Sequence, residues 1–314
     1  MSTSRQPTDR ATAQASTPAI SRPYVSLVDD ASIFPPGNAP LPRAVSAHRA
    51  HQQAAYADLL GPFVISDNAL PELIALRPIE TLGVAVVVTG GAGALEPAVR
   101  WASRSAELEL RSVEIALRGE ADLAQNARRV VTAADQLVNN GDLDEDVPLS
   151  VEPPRLFGRP PTPSWHAALD ELAASELRLK FRTGGVNTED FPSASELATC
   201  IESALDRELS FKCTAGLHHA VRRREQHTGF EQHGFLNVLL ATRASLDGVA
   251  PDDVANLLDE TDATVVKNLL SEAGEDKLVS ARRWFTSFGS CSVLDPVQDL
   301  VALGLLPGLP PEAA

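Results

Sequence analysis

Eight short apolar runs, each followed by a polar turn and then a helical stretch, limit what this chain can fold into. The runs are Tyr24–Val28, Phe63–Ser66, Leu82–Val88, Leu110–Leu117, Val147–Val151, Leu177–Thr183, Leu209–Thr214 and Trp284–Phe288. The third, LGVAVVV, is apolar throughout, as suits a parallel strand covered on both faces. Helical patterns fall at Leu41–Leu60, Ala94–Ala106, Ala121–Leu137, Ser164–Ala174, Ala194–Asp206, Phe230–Ala244, Pro251–Leu258 and Pro296–Leu303, with a short one after Leu70. Strands alternating with helices imply a parallel sheet, and eight units imply an α/β fold of the (β/α)8 TIM-barrel type. A doubly wound open sheet competes. It needs a glycine-rich turn after the first strand, where this chain reads VDDASIFPPGN. The 314 residues suit one barrel domain over 23–306, preceded by a disordered tail at 1–22 and followed by a flexible end at 307–314. The interval 229–282 is long enough for a lid or a contact between copies.

Charge narrows the function. Lys and Arg total 27 against 42 Asp and Glu, a formal charge of -15. Nucleic-acid binding needs a basic face to neutralise phosphate, and anionic lipid surfaces ask for the same, so neither partner is expected. No apolar run approaches the roughly 18 residues of a membrane span. The three cysteines, Cys200, Cys213 and Cys291, are widely spaced and form no CxxC, which predicts neither disulfides nor structural zinc and points to a cytoplasmic protein.

In a barrel enzyme the chemistry sits where the strands end. Alternation along a strand then tells which side chains face inward. In LRLKFR, Leu177, Leu179 and Phe181 share one face, leaving Arg178, Lys180 and Arg182 on the other. In LSFKCT, Leu209, Phe211 and Cys213 leave Ser210, Lys212 and Thr214, and in SVEIAL the apolar set leaves Glu114. A lysine aimed into a barrel interior is costly unless paired or deprotonated. Two of them on adjacent strands, with a carboxylate nearby, predict either a catalytic group or an ion network that caps the barrel.

These strings resemble class I, Schiff-base aldolases of the deoxyribose-phosphate aldolase type. Lys180-Phe181-Arg182-Thr183-Gly184 is similar to that family's Lys-x-x-Thr-Gly string, and Lys212-Cys213-Thr214-Ala215-Gly216 to its Lys-x-Ser-Gly-Gly string. Phe288-Gly289-Ser290-Cys291-Ser292 is similar to its Phe-Gly-x-Ser-Ser phosphate loop, and the three arrive in the same order. The chain departs from the pattern at Ala215, where the family has glycine, and at Arg182, where it has a small residue. It also has Glu114 for an aspartate, and His218-His219 where an arginine lies nearby. The resemblance implies that Lys180 forms the Schiff base, that Lys212 keeps it neutral and that Glu114 shuttles protons. It also implies a lyase or aldolase activity needing no cofactor.

The remaining candidates are binding residues for a small anionic carbonyl substrate. Gly184, Gly185, Gly216 and Gly289 let backbone N–H groups approach a phosphate, Thr183, Thr214, Ser290 and Ser292 add hydroxyls, and Arg182 offers a fork. Among the acids Asp29 and Asp30 after the first run, Asp30 is expected to touch substrate, as is Glu152. His218, of the pair His218-His219, is expected to contact substrate or move a proton. His227 and His233 follow closely, but without HxxxH or HxH spacing no metal is expected. His48 and His51 read as surface or packing residues. Cys291 shows no activating base in the sequence. The reading is therefore a lysine-dependent lyase, with two alternatives on the same barrel: a metal- or acid/base-dependent isomerase or lyase, and a non-catalytic metabolite binder. A homo-oligomer is compatible with either.

Overall fold

The alternation closes on itself. The computed structural model describes residues 20–78, 80–119 and 121–307. Its strands are β1 (Val28–Asp30), β2 (Leu60–Ser66), β3 (Leu82–Val88), β4 (Leu108–Ala116), β5 (Leu149–Glu152), β6 (Arg178–Arg182), β7 (Phe211–Thr214), β8 (Arg223–Arg224), β9 (Glu231–Gln232) and β10 (Phe285–Ser290). Eight of them form a closed parallel barrel in the order β1-β10-β7-β6-β5-β4-β3-β2, while β8 and β9 pair as a small antiparallel ribbon. The fold is a (β/α)8 TIM barrel.

Eleven α-helices accompany the strands in the described residues: α1 (Leu41–Gln52), α2 (Leu70–Ala75), α3 (Leu95–Ser103), α4 (Leu123–Asn139), α5 (Pro163–Ala173), α6 (Ala194–Leu205), α7 (Phe235–Leu246), α8 (Pro251–Asp259), α9 (Ala263–Ala273), α10 (Glu275–Arg282) and α11 (Leu294–Ala302). Several begin where a short polar side chain satisfies a free N–H of the first turn. Asp122 accepts from Gln125 N at 2.9 Å, Ser193 from Glu196 N at 3.1 Å and Asp262 from Thr264 N at 2.7 Å. Proline at the start of α5 and α8 fits the same position, where no N–H is missed.

The core lies between strands and helices. Phe63, Ile65, Val84, Val86, Val113, Ile115, Leu179, Phe211 and Phe288 belong to one buried cluster with the inner faces of the helices. Phe235 of α7 stacks on Phe288 at 4.9 Å, and Phe211 lies 5.4 Å from Phe181 and 5.6 Å from Phe285. Each such side chain stabilises by roughly 1.5–3 kcal/mol when fully buried. Because these residues take the outward positions, the alternate positions of β4, β6 and β7 must face the lumen.

The interval 229–282, expected to be partly helical, is mostly helix. It folds into α7 to α10, with α7 against β10, α8 against α6 and α10 against the turn Arg22–Tyr24. The expected tail and C-terminal end fall almost wholly outside the described residues. The ordered body nevertheless starts before residue 23: Ile20 is buried in the core, and Arg22 reaches Glu275 at 3.0 Å and Asp276 at 2.5 Å on α10. Among the described residues no helix is long and apolar enough to cross a membrane.

Candidate active site

The alternation in β6 and β7 puts Lys180 and Lys212 side by side, since these two residues are register partners. Both are only 4% exposed. Lys180 Nζ lies 2.9 Å from Glu114 Oε2 and 3.2 Å from Glu152 Oε2. Lys212 Nζ donates to Asp29 Oδ2 at 2.6 Å and to the other oxygen of Glu114. Glu114 therefore stands between the two amines, one oxygen to each. Ser287 Oγ donates to Asp29 Oδ2 at 2.7 Å, and Arg182 Nε to Glu152 Oε1 at 2.7 Å. Three carboxylates thus meet three cations across β1, β4, β5, β6 and β7.

Burial alone would drive these groups toward their neutral forms, and pairing decides the outcome. Burial works against the charge on Glu114, but Lys180 and Lys212 outweigh it and hold the carboxyl down at about 2. Glu152 is lowered in the same way by Lys180 and Arg182. Burial also works against the Lys180 ammonium, and Glu114 with Glu152 outweighs it, so the amine sits above its ordinary range. Lys212 is raised likewise by Asp29 and Glu114. Asp29 goes the other way: burial lifts it, and Lys212 and Ser287 only partly compensate. The expected neutralisation of Lys180 by Lys212 is corrected here. Lys212 does push the neighbouring amine down, but two carboxylates push it up more strongly, and the resting amine is an ammonium.

Above this floor lies a cavity of about 240 Å³. Glu114, Lys180, Lys212, Arg182, Thr214 and His218 line it, with Gly185, Gly289 and Cys291. Phe34, Pro35, Val64 and Val87 form its apolar wall. The geometry brings together the amines, one shared carboxylate, a partly exposed guanidinium and a histidine. Such a set can bind an anion, add an amine to a carbonyl, or move protons.

Other expected residues lie elsewhere. Asp30 is corrected: β1 runs Val28–Asp30, so Asp29 faces the lumen and Asp30 the helices. Asp30 accepts from Ser32 N at 3.1 Å and pairs with His48 Nδ1 at 3.0 Å beneath α1. His48 is thus fully buried, 5.5 Å from the Phe63 ring. Half-buried His51 meets the Tyr56 hydroxyl at 2.8 Å. Glu152 is in the lumen, but its oxygens are taken by Lys180 and Arg182.

Thr183, Gly184, Gly216, Ser290 and Ser292 hold the loops rather than line the cavity. Thr183 Oγ1 donates to Ala215 O at 2.5 Å, and Ser290 Oγ donates to Ser292 O at 2.7 Å. Ser292 Oγ accepts from Asp295 N at 3.2 Å. A Cβ on Gly184 would meet Gly216 Cα at 2.7 Å, so these glycines let the loops after β6 and β7 touch.

The histidine pair splits. His218 faces the cavity, whereas His219 Nδ1 lies 3.1 Å from Asp299 Oδ2 of α11. His227 is exposed, and His233 is buried with Arg222 at 3.2 Å and Pro192 O at 2.8 Å. Among the described residues no group of three or more His, Cys, Asp or Glu side chains is placed to hold a metal.

Sequence reasoning missed Ser287 and Asp190, and weighed Asp29 without choosing it. Placing the first strand at Val28–Asp30 would have given Asp29 by alternation. Asp190 lines the cavity from a turn where its Oδ2 accepts from Val186 N and Asn187 N, each at 2.9 Å, and no periodic signal marks it. His218 is the remaining perturbed group. Burial lowers its imidazole, but Asp295 and then Cys291 outweigh this and raise it to about 9. Set against family models, curated proteins and solved structures, the chain matches none of them.

Proposed function

We propose that this barrel is a carbon–carbon lyase of the aldolase kind, forming a Schiff base on Lys180 with a small anionic carbonyl compound. The observation that carries this reading is the meeting of Lys180, Lys212 and the shared Glu114 at the floor of the cavity. The resemblance of the three strand-end strings to Schiff-base aldolases supports it further.

Arg182, 39% exposed in its side chain, keeps Nε on Glu152 and pairs with the substrate anion through the N–H groups left over. Lys180 Nζ loses its proton toward Glu114 Oε2, 2.9 Å away, and the free amine adds to the carbonyl carbon as the C=O π pair moves to oxygen and takes a second amine proton, giving the carbinolamine. Glu114 passes that proton to the carbinolamine hydroxyl, which leaves as water and gives the iminium. The iminium draws the electron pair of the bond between the α and β carbons, which breaks as the β-hydroxyl gives its proton to Glu114 and a carbonyl product departs. Glu114 then protonates the enamine carbon, and addition of water to the iminium releases the second product and restores the amine. Lys212 stays an ammonium on Asp29 and Glu114 and steadies the charge that moves through the shared carboxylate.

The chain holds four lysines, and Lys267 and Lys277 are exposed. With glyoxylate and cyanoborohydride, peptide mapping should find the reduced adduct on Lys180 ahead of both exposed amines. An adduct confined to Lys267 and Lys277 removes the Schiff-base reading.

A second reading has its own support, because every oxygen of Glu114 and Glu152 is already paired with a cation. Such a network suits acid/base chemistry by Glu114, Glu152 and His218 without a covalent step. Turnover surviving in a Lys180→Met variant would favour it. Metabolite binding without turnover, retained in a Lys180→Ala, Lys212→Ala double variant, would favour a binding barrel.

A further inference from the structure

The cavity has a second chemically active wall, opposite in character to its amine floor. Cys291 follows the last residue of β10 and lines the cavity. Its Sγ lies 3.5 Å from His218 Nε2 and 3.6 Å from His218 Nδ1, so either ring nitrogen is within reach of the sulfur. Asp295 Oδ2 lies 3.7 Å from His218 Nδ1, and Ser292 Oγ accepts from Asp295 N at 3.2 Å, which fixes the start of α11. Three segments supply these groups: the loop after β7, the loop after β10 and the first turn of α11. A thiol, a cationic imidazole beside it and a carboxylate that supports the ring's charge are the parts of an activated nucleophile. The other two cysteines lack this setting. Cys200 and Cys213 are buried, and burial raises both thiols, Cys200 to about 12.

We propose that Cys291, His218 and Asp295 form a second nucleophilic centre in the cavity, one that takes small anionic molecules bearing an electrophilic carbon, such as an aldehyde acid. The thiol proton leaves to solvent, and the His218 imidazolium beside it stabilises the thiolate. Sulfur then bonds to the aldehyde carbon, the C=O π pair moves to oxygen, and His218 gives its proton to that oxygen, yielding a thiohemiacetal and a neutral ring that regains its proton from solvent. No oxidant or further reactant enters. The imidazolium and Arg182 line the same cavity and favour an anion over a neutral molecule of equal size. The centre is independent of the amine chemistry, since none of its atoms touches Lys180, Lys212 or Glu114 in a hydrogen bond or ion pair.

Alkylation of the full chain tests this directly. At pH 7, iodoacetate should carboxymethylate Cys291 at least tenfold faster than it does N-acetylcysteine, with iodide leaving as the C–S bond forms. It should also react as fast as neutral iodoacetamide, which is the faster reagent toward a free thiol. His218→Gln should bring Cys291 down to the free-thiol rate, and Asp295→Asn should give an intermediate rate. A Lys180→Met variant should keep the fast reaction, which separates this centre from the Schiff base. Labelling of Cys200 and Cys213 reports unfolding, and if a variant shows it, the rate in the unmutated protein decides. A Cys291 that reacts no faster than N-acetylcysteine, or one left fast by a folded His218→Gln chain, overturns the proposal.

Discussion

Glu114 has one oxygen on each of two buried ammonium groups, and that single fact governs the lumen at the residue scale. Replacing it by Gln strips both amines of a counter-charge they cannot find in water. Breaking a buried pair from one side costs roughly 3–5 kcal/mol, and denaturant unfolding of Glu114→Gln should show a loss in that range. Because the carboxylate is shared, Lys180 and Lys212 titrate as a pair with two macroscopic steps rather than as separate sites. The raised Lys180 amine also sets a pH dependence for the proposed chemistry. Its free fraction grows about tenfold per pH unit below the pKa, so trapping on Lys180 should climb at that rate between about pH 7 and 9. A flat profile would contradict an ammonium resting state. Lys180, Lys212 and Glu114 were legible because alternation within a strand fixes facing without any knowledge of the neighbours. Their charge state was not legible. It depends on Asp29 and Glu152, whose places follow from closure of the barrel.

At the scale of elements, the junction after β7 shows how backbone and sequence meet. Ala215 and Gly216 are both left-handed, at φ +61° and +73°. The first is where the aldolase strings carry glycine, so the chain keeps the conformation that glycine favours while bearing a side chain. Ala215→Gly should change stability by no more than about 1 kcal/mol, strain relief offsetting the freer unfolded chain. Gly216→Ala should be far worse. Its Cβ would meet Thr183 O at 2.7 Å, on top of the roughly 1–2 kcal/mol that an L-residue loses in this region. A melting comparison of the two variants checks the contrast. Every barrel strand and most helices fell within a few residues of their expected places, since each carried its own period. The exceptions are α1, expected to run to Leu60 but ending at Gln52, and α9 and α10, which sit where helix follows helix with only a short gap and no strand intervenes to mark the change. The start of β1 was drawn too early because Tyr24 and Val25 are β-prone but belong to a turn and its exit.

For the molecule as a whole, two histidines bracket the pH range of greatest stability. Burial first and Arg222 second push His233 down to about 4. The unfolded chain therefore binds a proton there before the folded one does. That support is complete above the unfolded value of about 6.5 and is lost as the pH falls to about 4, on the order of 3 kcal/mol in all. His218 behaves oppositely: its support is present below about 6.5 and fades as the pH rises through about 9. Equilibrium unfolding across this range should peak near neutrality, and His233→Gln should flatten the acid limb between about pH 6.5 and 4.5, before the carboxylates contribute. An acid limb unchanged in that variant would remove His233 as its source.

Arg282 closes the other end of the barrel. Its guanidinium donates to Val25 O at 3.1 Å, to Ser26 O at 3.3 Å, and to the carbonyls of Phe285 and Thr286. Those carbonyls lie beside β1 and in β10, the first and last staves of the cylinder, which pair only with each other at that seam. A ribosome releases β1 some 255 residues before β10, taking the interval from Asp30 to Phe285. At about 5–20 residues per second, the unmatched side of that first stave is exposed for many seconds. Nascent chains are therefore most prone to stick to one another along this side, and they lose that hazard when the final stave arrives and its guanidinium rivet closes the joint.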